Sequence, residues 1–118
     1  MKKQGKVWGE TARIFAGNNV EIHRIVGNKG GYSSRHSHLH KHNMFFVESG
    51  VLQITEWKKD SGTVDITTLR NCESCVVPPG SEHKFEVIED CIAYEIYWVT
   101  LDPSDIEREN HGGVAIEK

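Results

Sequence analysis

His36-Ser37-His38-Leu39-His40-Lys41-His42 carries four imidazoles at alternate positions, and Pro78-Pro79-Gly80-Ser81-Glu82-His83 brings another to the far end of a tight turn. On extended backbone alternate side chains share a face, so His36 and His38 are expected to point together. The Pro-Pro-Gly turn sets the backbone ahead of His83 and gives that ring a defined direction. Two histidines on one strand and one on a distant strand make three neutral nitrogen donors. Such a set suits Zn, Fe, Mn, Ni or Cu and leaves coordination positions open for a substrate. The tract alone reads equally well as a solvated loop; the Pro-Pro-Gly-x-x-His segment favours a site.

The surrounding chain is strand-rich. Val20 to Val26, Met44 to Val47, Val51 to Trp57, Thr63 to Leu69, Ser74 to Val77, Lys84 to Ile88 and Cys91 to Val99 are short runs of Val, Ile, Phe, Tyr and Thr. Turn residues separate them: Gly27-Asn28-Lys29-Gly30-Gly31, Ser49-Gly50, Lys58-Lys59-Asp60-Ser61-Gly62, Pro78-Pro79-Gly80 and Glu89-Asp90. Strands recurring every about 8–12 residues predict an all-β sandwich or barrel. In the last run Ile92, Tyr94, Ile96 and Trp98 share one face, and Ala93, Glu95 and Tyr97 the other. One short C-terminal helix is expected from Asp102-Pro103-Ser104-Asp105, with an acidic cap and proline at the first helical position, running to Glu109 before His111-Gly112-Gly113.

The whole chain, 118 residues, reads as a single domain. With 14 Lys and Arg against 17 Asp and Glu its formal charge is −3, which disfavours binding to nucleic acid. No apolar run approaches the ~20 residues that cross a bilayer. The Met-Lys-Lys-Gln-Gly start has no apolar stretch after it, so no signal peptide is expected. Three cysteines are an odd number, which argues against a closed disulfide framework and for a reducing, cytoplasmic location. Cys72-Glu73-Ser74-Cys75 lacks the second pair of a zinc ribbon and the helix of a redox motif, and reads as strand and turn packing.

The two histidine segments resemble the two motifs of cupins. Gly30, His36, His38 and Gly50 fit the first, with Asn43 at the position of its glutamate; Pro78, Gly80 and His83 fit the second, with Cys72 at its first glycine and Val87 at its asparagine. The resemblance implies a double-stranded β-helix, or jelly roll, with a metal inside. A narrower resemblance spans nearly the whole chain: Val7-Trp8-Gly9, His38-Leu39-His40-Lys41-His42-Asn43, Val47-Glu48-Ser49-Gly50, Leu69-Arg70-Asn71-Cys72-Glu73-Ser74, Val77-Pro78-Pro79-Gly80, His83-Lys84-Phe85 and Asp105-Ile106-Glu107-Arg108 are similar to segments of type II mannose-6-phosphate isomerase domains. The chain departs from that family at Asn43, at His36, where the isomerases carry glutamine, and at His111-Gly112-Gly113, where they end in Tyr-Gly-Arg.

The resemblance implies aldose–ketose isomerisation of a sugar phosphate. On this reading His36, His38, His83 and Asn43 hold a divalent ion (Zn, Mn, Fe or Ni) that polarises substrate oxygens. His40 is a further ligand or an acid–base group. Glu95 either points into the barrel mouth as a base or outward as a solvated carboxylate. Lys84 and Arg70 are candidates for the substrate's phosphate or carboxylate, with a surface role as the alternative for each. Two further readings use the same residues: a metal-dependent oxygenase, and a non-catalytic cupin that binds a sugar or other small molecule. A homodimer is expected from the resemblance and from the small size of the barrel.

Overall fold

The computed structural model describes residues 2–100, 104–105 and 112–115, with side chains from residue 5 onward. Its elements are seven strands: β1 (Lys2–Lys6), β2 (Gly9–Ala16), β3 (Val20–Gly27), β4 (His42–Lys58), β5 (Thr63–Leu69), β6 (Ser74–Val77) and β7 (Glu82–Trp98). The all-β expectation therefore holds. Most of the expected helix lies outside the described residues; Ser104 and Asp105 are turn and coil.

The sheet order is β1-β2-β3-β7-β4-β5, with β6 also on β4, and every pairing is antiparallel. Its spine is a long ribbon of β4 and β7, from His42 opposite Trp98 to Trp57 opposite Glu82. The runs Met44–Val47 and Val51–Trp57 are one strand here, as are Lys84–Ile88 and Cys91–Trp98. The Ser49-Gly50 and Glu89-Asp90 segments are bends within the ribbon, where its register shifts between Val47 and Leu52. Such bulges let a strand turn from one sheet into the next. Gly50 sits at the bend with φ of 92°, and a Cβ there would lie 2.1 Å from the Asp90 carbonyl oxygen. Only glycine allows the two strands to approach so closely.

The bend divides the ribbon between two walls. The outer part of β7 carries β3 and pairs with the first half of β4, which carries β6. The inner part of β7 pairs with the second half of β4, which carries β5. Ile25, Phe45, Val47 and Ala93 from the first wall meet Leu52, Ile54, Leu69, Phe85 and Val87 from the second in one buried core. Burying each of the larger side chains stabilises the fold by about 1.5–3 kcal/mol.

The strands β1 and β2 are additional to those read from sequence. Lys-Lys-Gln-Gly-Lys in β1 has no apolar alternation, and it forms a lysine-bearing sheet edge. Between them Val7-Trp8 makes a two-residue hairpin connection, and Trp8 packs on the core.

Candidate metal centre

The segment after β3 runs along the second wall, where Tyr32 bridges to Glu86 and His36 to His83. His36 N–H donates to the His83 carbonyl at 3.0 Å, and His83 N–H returns a bond to the His36 carbonyl at 2.8 Å. This bridge explains how residues 47 positions apart meet. Gly80 N–H donates to the His38 carbonyl at 2.8 Å, so the Pro-Pro-Gly turn also ties down the second histidine.

The three rings cluster, with centroids 4.6 Å apart for His36 and His83, 5.3 Å for His36 and His38, and 5.6 Å for His38 and His83. One ring nitrogen of each lies within 4.8 Å of the others. The His36 Nδ1–H donates to the Ser34 carbonyl at 2.8 Å, and the His83 Nδ1–H to the Ser81 carbonyl at 3.1 Å. Each ring is thus oriented by the carbonyl two residues before it, which assigns the neutral tautomer and leaves Nε2 as the donor atom. His38 Nε2 is buried without a protein partner. Burial pushes the pKa of His83 and of His38 below the ordinary histidine value, and for His38 the neighbouring His36 adds to the effect. Imidazoles presenting Nε2 atoms, one of them orphaned, fit a transition-metal ion.

The register explains the remaining walls. Across the first wall Glu21, Tyr97 and Asn43 form one inward row, and His23, Glu95 and Phe45 the next. Glu95 therefore faces inward, and Ile92, Tyr94, Ile96 and Trp98 of the same run are turned outward. Asn43 is fully buried; its Nδ2 donates to Glu95 Oε2 at 3.2 Å and lies 3.3 Å from His83 Nε2, while its Oδ1 is buried without a partner. Tyr97 OH donates to the same Glu95 oxygen at 2.5 Å. Burial, then the adjacent Glu95 charge, drive the Tyr97 pKa far upward, so this phenol stays a donor. The Tyr97 ring stands edge-on to His38 at 5.2 Å.

A cavity of about 280 Å³ opens beside the cluster, with His36, Glu95, Tyr97, His23 and Trp8 among its lining residues. Trp8, Tyr97, His23 and Lys6 were not singled out as site residues from sequence. Alternation alone places Tyr97 beside Glu95, whereas Lys6, Trp8 and His23 arrive through pairings between strands that sequence does not display. His40 is exposed and lines no described cavity. Lys84 alternates to the outer face, where it pairs with Glu86 at 2.8 Å. Arg70 is exposed in the turn before β6, where its backbone N–H bonds Glu73. None of these three is brought to the cluster. Cys75 packs on the core with its thiol pKa raised to about 11 by burial, Cys72 is exposed, and all three cysteines are free.

A bent jelly-roll sheet with three histidines converging inside it is a cupin architecture. Solved structures similar to this chain include KdgF from Halomonas sp. (TM-score 0.72, 12% identity, over 86% of this chain and 90% of that one) and a cupin-2 domain containing protein from Shewanella frigidimarina (TM-score 0.62, 26% identity, over 79% and 82%). Oxalate decarboxylase from Lactobacillus farciminis also superposes, with a TM-score of 0.74 at 14% identity, over 83% of this chain and 30% of that one. No protein-family model matches the chain, and no curated protein matches it in sequence.

Proposed function

We propose that this chain is a metal-dependent cupin enzyme that moves a proton between adjacent carbons of a small hydroxylated substrate, as in the interconversion of mannose 6-phosphate and fructose 6-phosphate. One observation supports this above the others: Glu95, a carboxylate held by two donors, lines the same cavity as His36 of the three-histidine cluster. His36, His38 and His83 hold the ion through Nε2. A divalent metal there supplies a Lewis acid for substrate oxygens. Glu95 acts as the base: both protein donors fall on Oε2, so Oε1 is the oxygen that takes the proton. Asn43 links that carboxylate to the cluster and adds no charge of its own. The cavity volume suits a small molecule.

We further infer that two copies pair through the outward face, where Ile22, Ile96, Met44 and Val76 align in one cross-strand row. Three free thiols fit a reducing compartment such as the cytoplasm. The test is a coupled assay of mannose 6-phosphate and fructose 6-phosphate interconversion by protein loaded in turn with Zn, Mn, Fe and Ni. Turnover lost in both His83→Ala and Glu95→Gln supports the reading. No turnover with any of these metals removes it.

A further inference from the structure

The cavity beside the histidines adjoins a second one. Lys6, Trp8 and Ser34 line the inner chamber and also an outer chamber of about 680 Å³, to which Val7, Lys29 and Tyr32 belong. Trp8 is the partition, and it is firmly held. Its carbonyl accepts a bond from Asn28 N–H at 2.8 Å, and its ring stands edge-on to Phe85 at 5.0 Å. Gly31 presses so near that a Cβ there would lie 2.5 Å from the Trp8 Cβ.

Two features of the outer chamber point to a ligand. Tyr32 is 68% exposed although its backbone is bridged to Glu86, so a tethered segment presents an aromatic side chain to solvent. The lining holds two lysines and no carboxylate. Lys29 is engaged by Glu89 at 3.5 Å, whereas among the described residues Lys6 joins no ion pair. An unpaired cation in a lining that also holds two aromatic side chains suits a ring that carries a negative charge.

We propose that the outer chamber is a second ligand subsite, which seats a hydroxylated ring bearing one anionic group. The ring lies against Trp8 and Tyr32, the anion meets Lys6, and the remainder of the molecule reaches the inner chamber. The assignment of the reacting end to the inner chamber rests on the function proposed above; the binding itself does not.

Calorimetric titration of metal-loaded protein tests this with mannose 6-phosphate, glucuronate and neutral mannose as probes. At least one of the two anionic probes should bind tenfold or more tighter than mannose, and comparison of the two tells phosphate from carboxylate. Lys6→Met should abolish that preference, and Tyr32→Ala should weaken binding of the preferred probe at least threefold. No detectable binding of any probe to the wild type, or an anion preference that survives Lys6→Met, overturns the proposal. Binding that depends on Lys6 without any turnover upholds the subsite and removes the isomerase reading. Turnover with binding indifferent to Lys6 does the reverse.

Discussion

Asn43 and Glu95 are diagonal neighbours on the inner face of the first wall, and the amide Nδ2 of Asn43 donates to Glu95 Oε2 at 3.2 Å. A neutral amide thus stands between a carboxylate and His83, at the position where the cupin motif has its glutamate. The histidine cluster thus offers only neutral side-chain donors to an ion, with the negative charge one hydrogen bond away.

Asn43→Asp should therefore act in opposite directions without and with metal. In chelated protein a second carboxylate beside Glu95 is buried against a like charge, and the melting temperature should fall. With Zn or Mn in excess the same change adds a charged ligand, so the metal-induced rise in melting temperature should exceed that of the wild type. Thermal melts with and without chelator check both signs; a smaller metal-induced rise in the variant counts against this geometry.

Backbone conformation makes a pair of stability predictions. Cys72 has φ of 64°, the left-handed region that an L side chain enters at a cost of ~1–2 kcal/mol. This is the position of a glycine in the second cupin motif, and Cys72→Gly should stabilise the fold by about 0.5–1 kcal/mol once glycine's greater unfolded-state freedom is subtracted. Gly50→Ala should instead destabilise by more than ~3 kcal/mol, since its Cβ meets the Asp90 carbonyl. Urea denaturation reads both.

Acidity should weaken the metal-free fold. His38 and His83 hold their protons less readily when folded, because burial disfavours imidazolium. The unfolded chain takes up protons first as pH falls through about 6.5, so stability declines from there until the lower folded-state values are passed. Unfolding free energy of chelated protein should be lower at pH 5.5 than at 7.5, with a smaller difference in His83→Gln. An equal difference in that variant contradicts the assignment.

The histidine cluster was legible because alternation puts His36 and His38 on one face and a Pro-Pro-Gly turn precedes His83, and both are local signals. Most strands were legible for the same reason. What sequence hides is the ribbon's continuity: Ser49-Gly50 and Glu89-Asp90 look like chain reversals but are bends in long strands. It also hides β1, whose lysines carry no apolar period, and with it Lys6 and the placing of Trp8 at the cavity. The orientation of Glu95 was open because in the Cys91–Trp98 run the more apolar face turns out to be the outer one.

That outer face carries the expectation of a dimer. Met44 lies mid-row between Ile96 and Val76, and Met44→Glu should convert a dimer to a monomer in light scattering coupled to gel filtration without loss of the folded spectrum. Wild-type protein running as a monomer at all concentrations contradicts the pairing.

The central claim is that His36, His38 and His83 hold one metal ion. Its most direct test is the metal content of protein purified without a histidine tag and dialysed after loading with Zn, Mn, Fe or Ni. The account predicts about one ion per chain for at least one of these metals, falling below about a tenth in His83→Ala and in His38→Ala. No stoichiometric metal, or full occupancy retained in both variants, would contradict it.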